Sequence, residues 1–327
     1  MLFSRLSIAP MIDWTYPQFR YFMRVLAPNA LLYTEMQTIG ALQHNPARAL
    51  EYHPYEHPIA LQLGGADPVA LGECAELAEK AGFDEINLNL GCPSDRVQSG
   101  RFGACMMQET DLVVDCIQTI KEKVNLPVSA KTRIGIDNLD SYTFFADFAG
   151  RLIEAGVDKL IVHARKAWLK GLSPKQNRTI PPINYDFVYR FKQEYPEIPM
   201  VINGNILSLE EVHSHLQQVD GVMLGRLVCQ NPYKLAQIHK ALYPQSPMLT
   251  RRELVVAIMP YLQEQADKGI SLSLLLKGLL NLAHGLANSK RWKDVLTYII
   301  KNKQTAHLAE LIYIIEELES YNHGISA

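Results

Sequence analysis

Cys92 stands in the run EINLNLGCPSDRVQSGRFGAC, residues 85–105, two positions past a strand-like apolar stretch and between Gly91 and Pro93. A free thiol with a pKa of ~8.5 keeps its proton at neutral pH, so on a turn it can act as an acid toward a bound substrate. No histidine adjoins it in sequence to mark a thiolate nucleophile. Cys105 comes where the next helical pattern begins, among apolar neighbours, and is expected to serve packing. An inert buried thiol is the ordinary alternative for either residue, and the loop position of Cys92 weighs against it.

Other chemically useful groups recur where apolar runs end. Pro10 and Met11 close the first run, Glu35 the second, Gln62 the third and Asn89 the fourth. Lys131 and Arg133 end the fifth, and His163 the sixth. Asn203, Gly204 and Asn205 follow the seventh, and Gly225 with Arg226 the eighth. The pieces INGN and LGR suit a phosphate, because glycine admits close backbone approach, free N–H groups point outward and arginine adds a donor fork. Gln62 can meet the amide edge of a pyrimidine ring in both hydrogen-bonding senses. A buried Lys131 would stabilise negative charge near N1 of a reduced flavin. His163 would reach the phosphate or the ring. Flavin mononucleotide (FMN) fits this set, although each residue alone is equally at home as a satisfied polar group on a rim.

Eight strand-length runs position these groups: 6–11, 30–36, 58–63, 85–90, 127–134, 159–164, 199–204 and 221–226. Helical patterns separate them. DPVALGECAELAEKAG carries a cap at Asp67, Pro68 in its first turn and Gly82 past its end. SLEEVHSHLQQ opens on a capping box from Ser208 to Glu211. Alternating strand and helix implies an α/β fold with a parallel sheet. Eight repeats predict a (β/α)8 TIM barrel, whose site forms at the C-terminal strand ends; a doubly wound sheet is the alternative. From Arg251 onward the periodicity is helical, in about four helices, and SLSLLLKGLLNLAHGLA reads as one core helix. The expected division is a catalytic FMN-binding barrel over 1–243 and an all-helical C-terminal domain over 244–327.

Of 327 residues, 48% are apolar and 20% charged, the balance of a globular protein. The net charge of −2 offers no overall attraction to a polyanion, so any nucleic-acid site is a local patch. One candidate is the loop HARKAWLKGLSPKQNR, with Arg165, Lys166, Lys170, Lys175, Arg178 and Trp168 but no carboxylate. Arg96 and Arg101 come from the neighbouring βα loop, and Lys277, Lys290, Arg291, Lys293, Lys301 and Lys303 from the helical part. Basic residues among aromatics suit a phosphate backbone with exposed bases; a solvated helix face is the plain alternative. The five cysteines lack metal or disulfide spacing, so no metal site is expected and a cytoplasmic setting is. Neither a signal peptide nor a membrane span is expected.

These residues closely resemble the tRNA-dihydrouridine synthases, and within them the A subfamily. The resemblance rests on IAPMIDWT, EINLNLGCPSDRVQSGRFGAC, VHARKAWLKGLSPKQNR with its following IPP, VING, DGVMLGR and KRW, and spans essentially the whole chain. It implies an FMN-dependent barrel with a helical tRNA-binding domain. Its reaction is reduction, with NADPH, of the 5,6 double bond of uridine in the tRNA D-loop, at positions 20 and 20a. Cys92 matches the family's acid and Asn89 its RNA-contacting asparagine. The flavin contacts carry over onto Pro10, Met11, Gln62, Lys131, His163, Asn203, Gly204, Asn205, Gly225 and Arg226, and tRNA contacts onto Lys175 and Arg178. The chain departs from the family at Asn205, where glycine is usual, and at Lys290 and Lys293, where paired arginines are usual and a bidentate fork is lost. No obligate protein partner is implied. A flavin barrel acting on a free pyrimidine, like the dihydroorotate dehydrogenases, has no need of the basic loop or the helical part. An RNA-binding module without catalysis has no need of Cys92 and Lys131.

Overall fold

The computed structural model describes residues 4–303 and 305–325, the side chains at 95, 96, 306 and 323–325 excepted. The strands are β1 (Leu6–Ile8), β2 (Leu32–Tyr33), β3 (Ile59–Gly64), β4 (Glu85–Leu90), β5 (Val128–Arg133), β6 (Lys159–His163), β7 (Met200–Asn203) and β8 (Gly221–Leu224). From β2 to β8 each pairs in parallel with the next, and β8 pairs with β1. A bridge between Ser7 and Leu31 joins β1 to β2. There Ile8 N–H donates to the Leu31 carbonyl and Leu31 N–H to that of Leu6, each at 3.0 Å. The predicted parallel barrel therefore forms with all eight strands. The second strand is shorter than its run, and Gln37–Thr38 pairs separately beside β3.

Period two decides what fills the barrel. Along β4, Ile86, Leu88 and Leu90 are fully buried, on the face that the flanking helices cover, while Glu85, Asn87 and Asn89 share the opposite face. The interior holds an apolar cluster of Ala9, Leu31, Tyr33, Ala60, Ile161, Val201 and Met223, with Met11 packed against it. The flanking helices start and stop where their sequence signals lie. Asp67 accepts from Ala70 N–H at 3.0 Å to open Pro68–Ala81, and Gly82 closes it in the left-handed region at φ 92°. Ser208 and Glu211 form their capping box at the head of Leu209–Leu216.

Two compact units emerge: Met1–Thr15 with Leu31–Gly225, and Tyr16–Ala30 with Arg226–Ala327. The first helix, Pro17–Leu26, and the helices Arg226–Gln230 and Pro232–Leu242 thus group with the helical part, so the division does not follow the boundary read after Tyr243. Within the helical unit, Arg251–Asp267, Leu272–Lys277, Ser289–Asn302 and Glu310–Ile325 are helices. The run SLSLLLKGLLNLAHGLA is not the single helix its apolarity suggests. It turns repeatedly after Lys277 because side chains take its carbonyls. Trp292 Nε1–H donates to Leu279 at 2.7 Å, and Arg251 donates to Leu282 at 2.9 Å and to His284 at 3.2 Å. Among the described residues no helix is long and apolar enough to cross a membrane.

Trp292 is fully buried and supplies one of those bonds. Trp292→Ala is expected to cost about 3–5 kcal/mol, read as a lowered denaturant midpoint of the full-length protein.

Candidate active site

Asn89, inward-facing at the end of β4, organises the turn that follows. Its Oδ1 accepts the N–H groups of Gly91 at 3.2 Å and Cys92 at 3.0 Å, and its Nδ2 donates to Gln62 Oε1 at 2.9 Å. The Cys92 carbonyl accepts Ala104 N–H at 2.9 Å. Gly103, at φ 78°, crosses that carbonyl so closely that a Cβ would stand 2.5 Å from the oxygen. Cys92 is therefore pinned on both sides, and its thiol is half-buried, with Ser94 Oγ at 3.6 Å. Cys105 differs. Its thiol donates to the Phe102 carbonyl at 3.1 Å, within its own turn, and burial pushes its pKa up.

Lys131 and Arg133 reach the mouth from β5. Lys131 pairs in register with Asn89 and donates to Asn203 Oδ1 at 3.3 Å, and Asn203 Nδ2 donates to the Met223 carbonyl at 2.8 Å. Burial, and then the neighbouring Arg133 charge, lower the Lys131 ammonium from 10.5 to about 7, partly opposed by Cys92. Burial also lowers Arg133, to about 10, which leaves it charged at neutral pH. Arg133 ties two loops together. It donates to Gly91 at 2.8 Å on the Cys92 side, and to Lys166 at 3.0 Å and Asn177 at 3.1 Å on the basic-loop side.

His163 ends β6 level with Asn203. Gly204, at φ 126°, packs so tightly on it that a Cβ would lie 2.8 Å from the imidazole Cδ2. Asn205 adopts φ 53°, the left-handed conformation that asparagine tolerates better than most residues. Tyr185 donates to the Gly204 carbonyl at 2.6 Å. Gly225 lies beside β1, where a Cβ would make ordinary contact with Met11 Sδ at 3.9 Å. Pro10 and Met11 are half-buried. The mouth thus gathers Gln62, Asn89 and Cys92 on one side and Lys131 with Asn203 on another.

Two of the five basic residues in 163–178 turn out to be structural. Arg165 is buried and donates to the Pro181 carbonyl. Lys166 reaches Asp140 at 2.6 Å and the Asp137 carbonyl at 3.0 Å, over the face of Trp168 at 4.3 Å. Fully buried Asn177 staples the loop, accepting from Trp168 N–H at 2.8 Å and donating to its carbonyl at 2.9 Å. Lys170, Lys175 and Arg178 stay exposed. Arg101 is exposed and forks onto Glu109, both bonds at 3.1 Å. The Arg96 side chain lies outside the described residues. Arg226 opens the helix Arg226–Gln230 and groups with the helical unit, as do exposed Lys290, Arg291 and Lys293, of which Arg291 pairs with Glu317 at 2.5 Å. A cavity of about 550 Å³ runs along Gly64–Asp67, Arg101 and Phe102; none of Gln62, Cys92, Lys131 and His163 lines it.

The dihydrouridine synthase (Dus) family model matches residues 7–319. The chain belongs to that family. It is 50% identical over 292 residues to the tRNA-dihydrouridine(20/20a) synthase of Shewanella oneidensis, covering 89% of this chain and 87% of that protein. Proteins of the same name from Pasteurella multocida and Escherichia coli K12 are each 49% identical, over 90% of this chain and 90% and 86% of their own lengths. In three dimensions the chain is similar to morphinone reductase, with a TM-score of 0.51 at 13% identity, over 72% of this chain and 86% of that one. That likeness speaks for the barrel alone. As a dihydrouridine synthase the chain is an oxidoreductase.

Inside the barrel lies a set of polar residues that motif reading passed over: Tyr33, Glu85, Asn87, Ser129 and Lys159. The alternation of Glu85, Asn87 and Asn89 with apolar residues marks Glu85 and Asn87, once a closed barrel turns that face inward.

Arg133→Met would strand three carbonyls and is expected to cost about 3 kcal/mol, with faster proteolysis in 166–178 as the second readout. Lys131 binds its proton less readily in the folded than in the unfolded protein. Its penalty on folding is full below about pH 7 and shrinks as pH rises toward 10.5. Denaturation of wild type beside Lys131→Met is expected to show wild type gaining relative stability across that window.

Proposed function

We propose that the barrel mouth binds FMN, is recharged by NADPH and reduces the C5–C6 bond of uridine in the tRNA D-loop, at positions 20 and 20a. The observation that carries this reading is Cys92, a half-buried thiol on a turn pinned from both sides, next to Lys131. The names of the relatives support the substrate.

The residues present suit the cofactor. Gly204 at φ 126° and Asn205 at φ 53° make a turn with no bulky side chain at Gly204, beside His163, where a phosphate would be received. Arg226 would add its fork. Gln62 and Lys131 would meet the pyrimidine edge of the flavin, and Pro10, Met11 and Gly225 its apolar body. Bound there, the flavin supplies hydride from N5 to C6 of the uracil ring.

The rest of the chemistry falls to the protein. Cys92 gives its proton to C5 from the opposite face. Hydride and proton together saturate the bond, and a thiolate remains. Lys131 and Arg133 stand close enough for negative charge on Cys92 to raise the proton affinity of both. The turn holds Sγ in place, so little reorganisation accompanies transfer. Reaching a base inside tRNA requires turning it out of its stack. Asn89, Arg96, Arg101, Lys175 and Arg178 on the barrel unit and Lys290, Arg291 and Lys293 on the helical part would hold the RNA, the latter making residues 244–327 a tRNA-binding element.

With FMN, NADPH and unmodified tRNA, Cys92→Ala is expected to lose about 10²- to 10⁴-fold in dihydrouridine formation while still binding flavin. Cys105→Ala should stay within a few-fold of wild type. A Cys92→Ala enzyme at wild-type rate removes the acid from this scheme, and turnover of free uracil without tRNA removes the substrate.

A further inference from the structure

Glu85 and Lys159 form an ion pair of 2.5 Å deep in the barrel, with side chains 6% and 4% exposed. Burying such a pair costs desolvation that its attraction does not readily recover, so stability alone does not account for it. Glu85 Oε1 also receives Tyr33 Oη–H at 3.0 Å and Ser129 Oγ–H at 2.5 Å.

From Ser129 a chain of hydrogen bonds runs up to the mouth. Asn87 Nδ2 donates to Ser129 Oγ at 2.8 Å, and Gln62 Nε2 donates to Asn87 Oδ1 at 2.7 Å. Asn89 Nδ2 donates to Gln62 Oε1 at 2.9 Å, and Asn89 Oδ1 receives the N–H groups of Gly91 and Cys92 at 3.2 and 3.0 Å. Each amide in the middle could be turned round in isolation. The ends cannot. A carboxylate only accepts, and a backbone N–H only donates. With Ser129 spending its proton on Glu85, every amide above it must point the observed way.

We propose that Ser129 is a positioning residue for Cys92: seated on the Glu85–Lys159 pair, it sets a one-way chain that orients the Gln62 amide and holds the Cys92 turn. Gln62 is thereby left with one spare donor on Nε2 and one spare lone pair on Oε1, in fixed places. Asn89 keeps both oxygen lone pairs on the turn. Breaking the chain at Ser129 leaves Asn87 Nδ2 without its acceptor and removes the lower of the chain's two fixed ends, so that the amides are held only from the turn. The proposal rests on Cys92 being the acid, and its test separates the two ideas.

The full-length protein is compared with its Ser129→Ala and Ser129→Thr variants by two measurements. The first is the rate of iodoacetamide alkylation at Cys92 and at Cys105, by mass spectrometry over a pH series. The second is kcat and KM for tRNA. In Ser129→Ala, Cys92 alkylation is expected to quicken about threefold or more with Cys105 unchanged, and kcat to fall about tenfold with KM within about twofold. Ser129→Thr, which keeps the hydroxyl, is expected to restore both. An unchanged Cys92 rate, or Cys92 and Cys105 quickening together as in general loosening, overturns the proposal. Glu85→Leu combined with Lys159→Met removes the anchor by a separate route and decides the matter by the same alkylation ratio if Ser129→Ala does not fold. Should wild type make no dihydrouridine, the functional reading fails, and the alkylation ratio still reports on the chain.

Discussion

The N–H groups of Gly91 and Cys92 both aim at one oxygen, Oδ1 of Asn89. A parallel strand that ends at a barrel rim has no further ladder to satisfy its next donors, so a side chain must supply the acceptor. Asn89 does so because period two turns it inward, and because its amide nitrogen has Gln62 to lean on. Release that oxygen and one of the two holds on Cys92 is lost. The crossing of Gly103 and the bond from Ala104 hold the other side of the same residue. The candidate acid is thus fixed by backbone and amide contacts rather than by partners at its sulfur.

Buried charge is the second constraint on the mouth. Lys131 and Arg133 project from alternate positions of one strand, Lys131 half-buried and Arg133 buried, and burial is the largest cause of the fall in both pKa values. The two part in what they do with their protons. Arg133 spends its donors on three carbonyls and becomes a rivet between loops. Lys131 has one long bond to Asn203 and a pKa near neutrality, so it can respond to charge that appears beside it. A cation held by three carbonyls and one with a single long bond stand two residues apart.

Much of this was legible in the residues. Eight apolar runs, each closed by a polar or special residue, implied a parallel barrel with its site at the strand ends. The caps at Asp67 and Ser208 lie where their short-range signals put them. Local rules served there because the interactions span only a few residues. They did less well with SLSLLLKGLLNLAHGLA, where Trp292 and Arg251, remote in sequence, donate to carbonyls that would otherwise accept helical N–H groups. The basic loop is a similar case. Its composition counts Arg165 and Lys166 as binding charges, and only contacts with Pro181 and with Asp140 reveal them as supports.

Residue types and their spacing by themselves determined the barrel, its helical companion, the Gly-Cys-Pro turn with its thiol, and the glycine turns that follow β7 and β8, because each is written in periods of two or 3.6 and in residues of restricted backbone freedom. What tertiary structure alone decided is which polar groups share the lumen and in which direction their hydrogen bonds run. Glu85, Asn87, Ser129, Gln62 and Lys159 come from four strands, and nothing in a linear chain says that they meet. Closure of the sheet brings them within bonding distance in a space too poor in water to leave any of them unmatched, and that is what turns five scattered polar residues into one oriented line.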